Sequence, residues 1–301
     1  PFHKTLRELM RSRQRDDAAY TEIAVKFASL ATSPRTRIVI SNEGFSGDPL
    51  SGYSDAAEMA HRLRRCTVGF DAKIIVYLRR QDEFLESLYT QKIHEGGSLT
   101  FPDFLARIST VSLDWHALLT NYAAVFGSKN ITVRRYEKRF LPQRDSLLVD
   151  FLRIIGVSAE RLNLAQEKAA PNAGYNLAAA EIARICNPEL STHERQNLRR
   201  ILQATISKEP HERYCLLDHD ARTQLLSRYH ESNARVAKEY LGENSQLFLP
   251  PEQETAAPGA GAMPDKEHLI VTLAKVFLQR QQQRVSSKLG RALIRLAAMV
   301  G

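Results

Sequence analysis

Apolar positions along the chain fall into two regimes. Three short runs are continuous rather than alternating: residues 37–41 (RIVIS), 73–78 (KIIVYL) and 131–136 (ITVRRY). Runs of that kind suit strands buried on both faces of a parallel sheet. Between them the period lengthens to that of a helix. Asp55 to Glu58 (DAAE) has capping-box spacing and opens a helix through Arg65. Thr100 to Asp103 (TFPD) is a second such start, and residues 113–126 are periodic and close on Gly127. Alternation of strands and helices predicts an α/β chain with right-handed crossovers.

Past the third run the pattern is wholly helical. Helices are predicted over 145–155 ending at Gly156, over 177–186 ending near Asn187 and Pro188, over about 192–206, and over 221–241 stopping at Gly242. Residues 250–264 (PPEQETAAPGAGAMP) form a Pro/Ala/Gly linker with no core-forming content. Beyond it Leu269, Leu273, Val276 and Phe277 mark one helical face, and Leu289, Leu293 and Leu296 another. The expected organisation is a domain over 1–249, a linker over 250–264 and a basic amphipathic helical tail over 265–301.

Composition narrows the class. Of 301 residues 43% are hydrophobic and 25% charged, which excludes wholesale disorder. No run approaches the roughly 18 apolar residues that a membrane span needs. Lys4, Arg7, Arg11, Arg13 and Arg15 break up any signal-peptide core. Cys66, Cys186 and Cys215 are far apart and odd in number, so neither a disulfide framework nor a zinc site is expected, and a reducing cytoplasm is. Of the net charge of +8, residues 265–301 carry +5 (seven Lys/Arg against two acids), leaving +3 for the rest. A mildly basic body binds an anion locally without being a nucleic-acid surface, so no nucleic-acid partner is expected. The tail's basic faces suit either an anionic membrane surface or a partner helix. The chain starts at Pro1 without a Met, which reads as a processed or truncated product.

The richest chemistry lies where the second run ends. Arg79 and Arg80 close it, and a helix follows at once with Phe84, Leu85, Leu88 and Ile93 on its apolar face. The carboxyl end of a parallel strand beside a helix N-terminus is where open α/β sheets bind anions, and an arginine there offers a planar donor fork to phosphate. Ser87, eight positions after Arg79, can add a hydroxyl. Spacing alone leaves a second reading open: surface charges at an element end and a solvated serine.

The segment from Arg79 to Ser87, continuing as Leu88, Tyr89, Thr90 and Gln91, resembles the 3′-phosphate-binding signature of PAPS-dependent sulfotransferases, and its ending is similar to the carbohydrate-modifying members. Residues 38–46 (IVISNEGFS), 126–137 (FGSKNITVRRYE), 150–156 (DFLRIIG) and 232–242 resemble further segments of the bacterial branch, in collinear order over roughly residues 1–249. The resemblance implies a P-loop-like, three-layer parallel-sheet core with a helical C-terminal half. It implies transfer of a sulfuryl group from PAPS to a hydroxyl, most readily on a carbohydrate, with PAP as product and no metal. Arg79 and Ser87 would hold the 3′-phosphate.

One departure stands beside the resemblance. The family's Lys-Thr-Gly-Thr loop, which cradles the 5′-phosphosulfate, is absent: Lys4 and Thr5 are followed by Leu6. Two expectations follow, either upstream residues that supply the loop or a non-catalytic nucleotide- or glycan-binding homologue. In both the sheet would lack its central strand, leaving open edges. Glu43, in a loop with Gly44, Gly47 and Gly52, is the candidate base for the acceptor hydroxyl; its other reading is a carboxylate capping a local turn. His94 is either an acceptor contact or an exposed helix-end histidine. Arg134 and Arg135 could guide an acidic glycan, with one toward solvent and the other toward Glu137 or Asp150. Trp115 reads as core, and Asp114, His116, His211, His219 and His230 lack metal-ligand spacing.

Overall fold

The computed structural model describes residues 9, 17–33, 36–108, 111–141, 147–158, 174–205, 216–251 and 271–273. The expected linker after Pro251, the tail apart from 271–273, and Lys4 and Thr5 lie outside these residues. In chain order the elements are α1 (Asp17–Leu30), α2 (Ala56–Cys66), β1 (Ile74–Leu78), α3 (Gln81–His94), α4 (Phe101–Arg107) and α5 (Trp115–Phe126). There follow β2 (Ile131–Arg135), α6 (Leu147–Ile154), α7 (Leu177–Cys186), α8 (Thr192–Thr205), α9 (His219–Ser227) and α10 (His230–Val236).

These elements form two compact units. The first gathers Pro1–Gln81, Arg107–Ile155 and Thr223–Pro251; the second gathers Asp82–Ala106, Gly156–Arg222 and Glu252–Gly301. In the first unit β1 and β2 pair in parallel, from Ile74 opposite Ile131 to Leu78 opposite Arg135. Helices α1, α2, α5 and α10 pack in series. Tyr20, Ile23 and Phe27 recur at helical spacing on α1 and are buried, as are Met59, Ala60 and Leu63 on α2. On α5 the buried face is Trp115, Leu118, Leu119, Tyr122 and Phe126. Asp114 caps this helix, its Oδ1 accepting from the Ala117 N–H at 2.9 Å, and Gly127 ends it at φ 84°.

The sheet corrects the expected three-layer parallel core: the chain is mostly helical, and β1 and β2 are the two strands paired among the described residues. Residues 37–41 join neither of them, and Val39 is 48% exposed. Apolar, β-branched composition reports fitness for a pleated surface, but a strand exists only where a neighbour takes its backbone groups. Here the run is tied down by the Arg37 guanidinium, which donates to the Ile155 carbonyl. Nor are the paired strands buried on both faces. Ile74 to Tyr77 are all half-buried, which fits a two-stranded ribbon rather than the inside of a layered sandwich.

Two local expectations also change. Asp55 precedes α2 without capping it, because its Oδ1 accepts from the Asp48 N–H at 2.9 Å instead, and Glu58 pairs with Arg62 one turn on. The single helix expected over 221–241 is broken at Tyr229, whose hydroxyl accepts from the Leu113 N–H at 3.1 Å. A π-helical turn, Ala237–Leu241, then carries α10 to Gly242.

In the second unit Tyr89 sits at 5.1 Å from Phe101 and 5.5 Å from Phe104, and its hydroxyl donates to the Leu99 carbonyl at 3.1 Å. Buried alanines 178, 179, 180 and 183 line α7. At the end of α7 the Asn187 amide donates to the Ile93 and Gly97 carbonyls at 2.9 and 2.7 Å, closing the C-terminus of α3. An ion cluster is buried at the N-terminal half of α3. Arg222 bonds Asp82 and, at 3.1 Å, Glu86, while Glu86 Oε1 also accepts from the Leu216 and Leu217 N–H groups at 2.8 and 3.0 Å. Of the tail, residues 271–273 are helical, with Thr272 buried and Leu273 43% exposed.

Candidate functional site

In the first unit the basic residues gather at the carboxyl ends of the two parallel strands. The Tyr136 N–H donates to the Leu78 carbonyl at 2.7 Å, prolonging the ladder by one residue. That places the Tyr136 ring under Arg79, whose guanidinium carbon lies 4.4 Å from the ring centroid. The Arg79 carbonyl accepts from Trp115 Nε1 at 3.0 Å, which fixes the backbone from which the side chain leaves. Trp115 itself is core, only 2% exposed.

The neighbouring arginines are engaged. Arg80 is buried and donates to the Leu249 carbonyl at 3.2 Å. Arg134 Nε lies 3.4 Å from Asp150 Oδ2, which also accepts from the Tyr77 hydroxyl at 2.7 Å. Burial, and then that bond to Asp150, push the Tyr77 phenol well above its usual range. Arg135 forms a two-pronged pair with Glu243, donates to the Leu247 carbonyl and stacks on Phe140 at 4.4 Å. The hydrogen bond from Arg135 holds the Glu243 carboxyl below the ordinary carboxylate range. So Arg134 does meet Asp150, while Arg135 takes a partner 108 residues away that sequence spacing could not indicate. Glu137 pairs instead with Arg139, at 3.7 Å.

Arg79 differs from these three. Among the described residues no carboxylate pairs with it, and it is neither fully buried nor fully exposed. Beside the same strand ends a cleft of about 330 Å³ is lined by Arg134, Arg135, Phe140, Tyr240, Leu241 and Glu243. A half-buried guanidinium held flat by an aromatic ring is pre-organised to bind an anion in two-pronged fashion. Tyr136 is the supporting residue that the sequence reading passed over, although its place directly after β2 was a usable signal.

Glu43 is exposed and begins a single 3₁₀ turn, Glu43–Ser46, in the same unit. The surrounding loop is built for its own geometry. Asn42 Oδ1 accepts from the Gly44 N–H at 2.8 Å and Asp48 Oδ1 from the Leu50 N–H at 2.9 Å. Capping in this loop is therefore done by Asn42 and Asp48, and the charge of the exposed Glu43 acts on the Tyr53 phenol.

Ser87 and His94 belong to the second unit, both on α3. Ser87 is half-buried, and its carbonyl accepts from the Thr90 hydroxyl at 3.0 Å. His94 is not the exposed helix-end residue anticipated as one of its two readings. Its Nε2 is buried without a hydrogen-bond partner, and its ring meets Tyr175 edge-on at 3.9 Å. Burial first, and then nearby Arg199, lower the imidazole to about 4, so it is neutral at neutral pH. His116 has a partner, Glu239 Oε2 at 2.9 Å, and His230 Nε2 one in the Gln246 amide, also at 2.9 Å.

No protein-family model matches the chain, and no solved structure does. Over 184 residues the chain is 27% identical to an uncharacterized protein of Archaeoglobus fulgidus, a stretch covering 60% of this chain and 49% of that protein. The chain thus spans about half the length of the curated relative it matches. Among the described residues no helix is long and apolar enough to cross a membrane.

Proposed function

We propose that the chain binds 3′-phosphoadenosine nucleotides and serves sulfuryl transfer from PAPS to a hydroxyl, with a carbohydrate as the acceptor class. The observation that carries this reading is Arg79. It closes β1, lies over Tyr136, and has no acidic partner among the described residues, whereas Arg134 and Arg135 beside it each have one. An arginine left with free donors at a strand's carboxyl end suits a phosphate monoester, and the 3′-phosphate is what separates PAPS from ATP. PAPS supplies the sulfuryl group when bound, and Arg79 holds its 3′-phosphate. Arg134, whose side chain is 41% exposed at the rim of the cleft, offers a second cation to an acidic sugar. Glu43 is the carboxylate assigned to take the acceptor's proton. The reading includes a cytoplasmic location, supported by Cys66 and Cys186 being free thiols.

The test is calorimetric titration of the full chain with PAP, AMP and ATP. PAP is expected to bind in preference to AMP, and Arg79→Ala to weaken PAP several-fold or more while barely changing AMP. Equal losses for the two ligands would show that Arg79 does not read the 3′-phosphate. A PAPS assay with carbohydrate acceptors then separates transfer from binding. A retained preference for PAP with no turnover would make the chain a nucleotide-binding homologue of the transferases.

A further inference from the structure

Outside the strand-end site, the second unit holds a cluster of cationic and neutral donors that its own residues do not satisfy. Among the described residues three buried side-chain polar atoms lack a hydrogen-bond partner: His94 Nε2, Glu137 Oε1 and Arg195 Nε. Two of the three, His94 and Arg195, belong to this one cluster, which forms where the end of α3 meets α8. Buried polar atoms in folded proteins are nearly always bonded, and an exception asks for a partner of its own.

The geometry brings the two residues to the same turn. His94 is the last residue of α3, and Gly96 follows it at φ +104°. The Arg195 guanidinium lies so close over Gly96 that a Cβ there would collide with its Nη1. The backbone conformation favours a glycine here, and the end of the flexible Arg195 side chain occupies the space a Cβ would take. Arg199 is one turn beyond Arg195 on α8, so both guanidinium groups leave the same helix face. Arg199 also acts electrostatically on His94 and on Tyr175, whose ring packs edge-on to the imidazole.

Carboxylates near the cluster are occupied elsewhere. Glu95 bonds Lys92 at 2.7 Å and Gln91 at 3.1 Å, and Glu194 takes the N–H and hydroxyl of Ser191 at 2.8 and 2.6 Å. Neither Arg195 nor Arg199 forms an ion pair among the described residues, in contrast with Arg184, which grips Glu181 with two donors. Like charges one turn apart on a helix face repel, an effect that a bound anion would relieve; the Glu95 charge, which also acts on His94, offsets part of it.

We infer that His94, Arg195 and Arg199 form a binding site for a tetrahedral oxyanion of the phosphate class, separate from the nucleotide site at Arg79. Two planar donor forks and an imidazole that can donate from Nε2 offer more donors than the two oxygens of a carboxylate can use, which suits the oxygens of a phosphate or sulfate group. The neutral imidazole supplies one N–H without adding a third buried charge, and Gly96 leaves room for Arg195 to approach the turn.

The probe is inorganic phosphate, titrated into the full chain while the His94 ring resonances are followed by NMR, with sulfate and acetate in parallel. A saturable His94 shift with phosphate and sulfate is expected, at an affinity on the order of millimolar for a free ion, and a weaker one with acetate. Arg195→Gln and Arg199→Gln should each weaken phosphate roughly tenfold, whereas Arg200→Gln should leave it unchanged, because Arg200 points to solvent and bonds Asn197. Circular dichroism and melting temperature report whether each variant is folded. Should a variant unfold, the wild-type titration still decides. A His94 signal that does not move, or that drifts without saturating in every salt, overturns the site. Acetate bound as tightly as phosphate overturns the tetrahedral class. Because PAP selectivity through Arg79 is read separately, failure here and failure there are distinguishable.

Discussion

Gln81 and Asn233 exchange both of their amide hydrogen bonds across 152 residues of sequence. Gln81 Nε2 donates to Asn233 Oδ1 at 2.9 Å and Asn233 Nδ2 to Gln81 Oε1 at 3.1 Å, with the Leu113 carbonyl a third partner at 3.4 Å. Both side chains are buried. The pair therefore ties Asn233 of α10 to Gln81, two residues after Arg79, within the first unit. Gln81→Leu strands the Asn233 amide and is expected to cost about 1–3 kcal/mol in urea unfolding. Asn233→Leu should cost a similar amount. The double variant should recover part of the loss, because no buried amide is then left without its complement. Strict additivity of the two single variants would show that the amides are not coupled.

Glu86 gives a pH dependence with a definite sign. Burial pushes its carboxyl up to about 7, against the opposing pull of Arg222 and the two backbone N–H groups. The folded form thus holds the proton more tightly than the unfolded form, whose value lies near 4.5. Stability from this group is fully present below the unfolded value and is lost as pH rises through about 7. Urea unfolding from about pH 5 to about pH 8 should show a fall on the order of 3 kcal/mol attributable to Glu86. Glu86→Gln keeps the acceptor for Leu216 and Leu217 and should flatten that slope. An unchanged slope would assign the dependence to other groups.

What the sequence disclosed was local. The C-terminal ends of α5 and α7 could be placed because Gly127 and Asn187 act within a turn of their own helix. Residues 37–41 have strand composition, but strand formation depends on a neighbour that composition does not specify, so the first of the three expected strands did not form. The break at Tyr229 and the missing cap at Asp55 have the same origin. In each, a side chain satisfies a backbone group elsewhere: the Leu113 N–H for Tyr229, the Asp48 N–H for Asp55. At the candidate site, Arg79 at the end of a strand was legible. Tyr136 could be placed directly after β2, but its contact with Arg79 and the capture of Arg135 by Glu243 could not be foreseen, since both arise from packing between separate segments.

Gly52 tests whether the glycine-rich loop is structural. It sits at φ +63°, and a Cβ there would lie 2.5 Å from the Ser112 carbonyl oxygen and 2.9 Å from its nitrogen. Backbone atoms cannot move aside as a flexible side chain can, so Gly52→Ala should destabilise the first unit by about 1–3 kcal/mol. Gly69 is the control: it has φ +84° but open space around its Cβ position, so Gly69→Ala carries the backbone strain alone and should cost less. Thermal unfolding of the two variants measures the difference, and equal losses would remove the Ser112 contact as the cause.

Arg134 and Arg135 are adjacent on β2 yet should behave oppositely. The Arg135 side chain is 9% exposed and joins Glu243, the Leu247 carbonyl and Phe140, so it ties the segment after α10 to the sheet. Arg135→Ala removes the donor of the Leu247 carbonyl and of Glu243, which at 41% exposed is largely solvated, a loss of about 1–2 kcal/mol. Arg134 is 41% exposed and only grazes Asp150, which keeps the Tyr77 hydroxyl as donor when the arginine is gone. Arg134→Ala should therefore cost less than about 0.5 kcal/mol. In the nucleotide-binding reading it should leave PAP affinity intact while weakening any acidic sugar that enters the cleft. Unfolding curves and PAP titrations on the two variants separate the roles. A large stability loss for Arg134→Ala, or none for Arg135→Ala, would reverse the assignment and move the anion-facing role to Arg135.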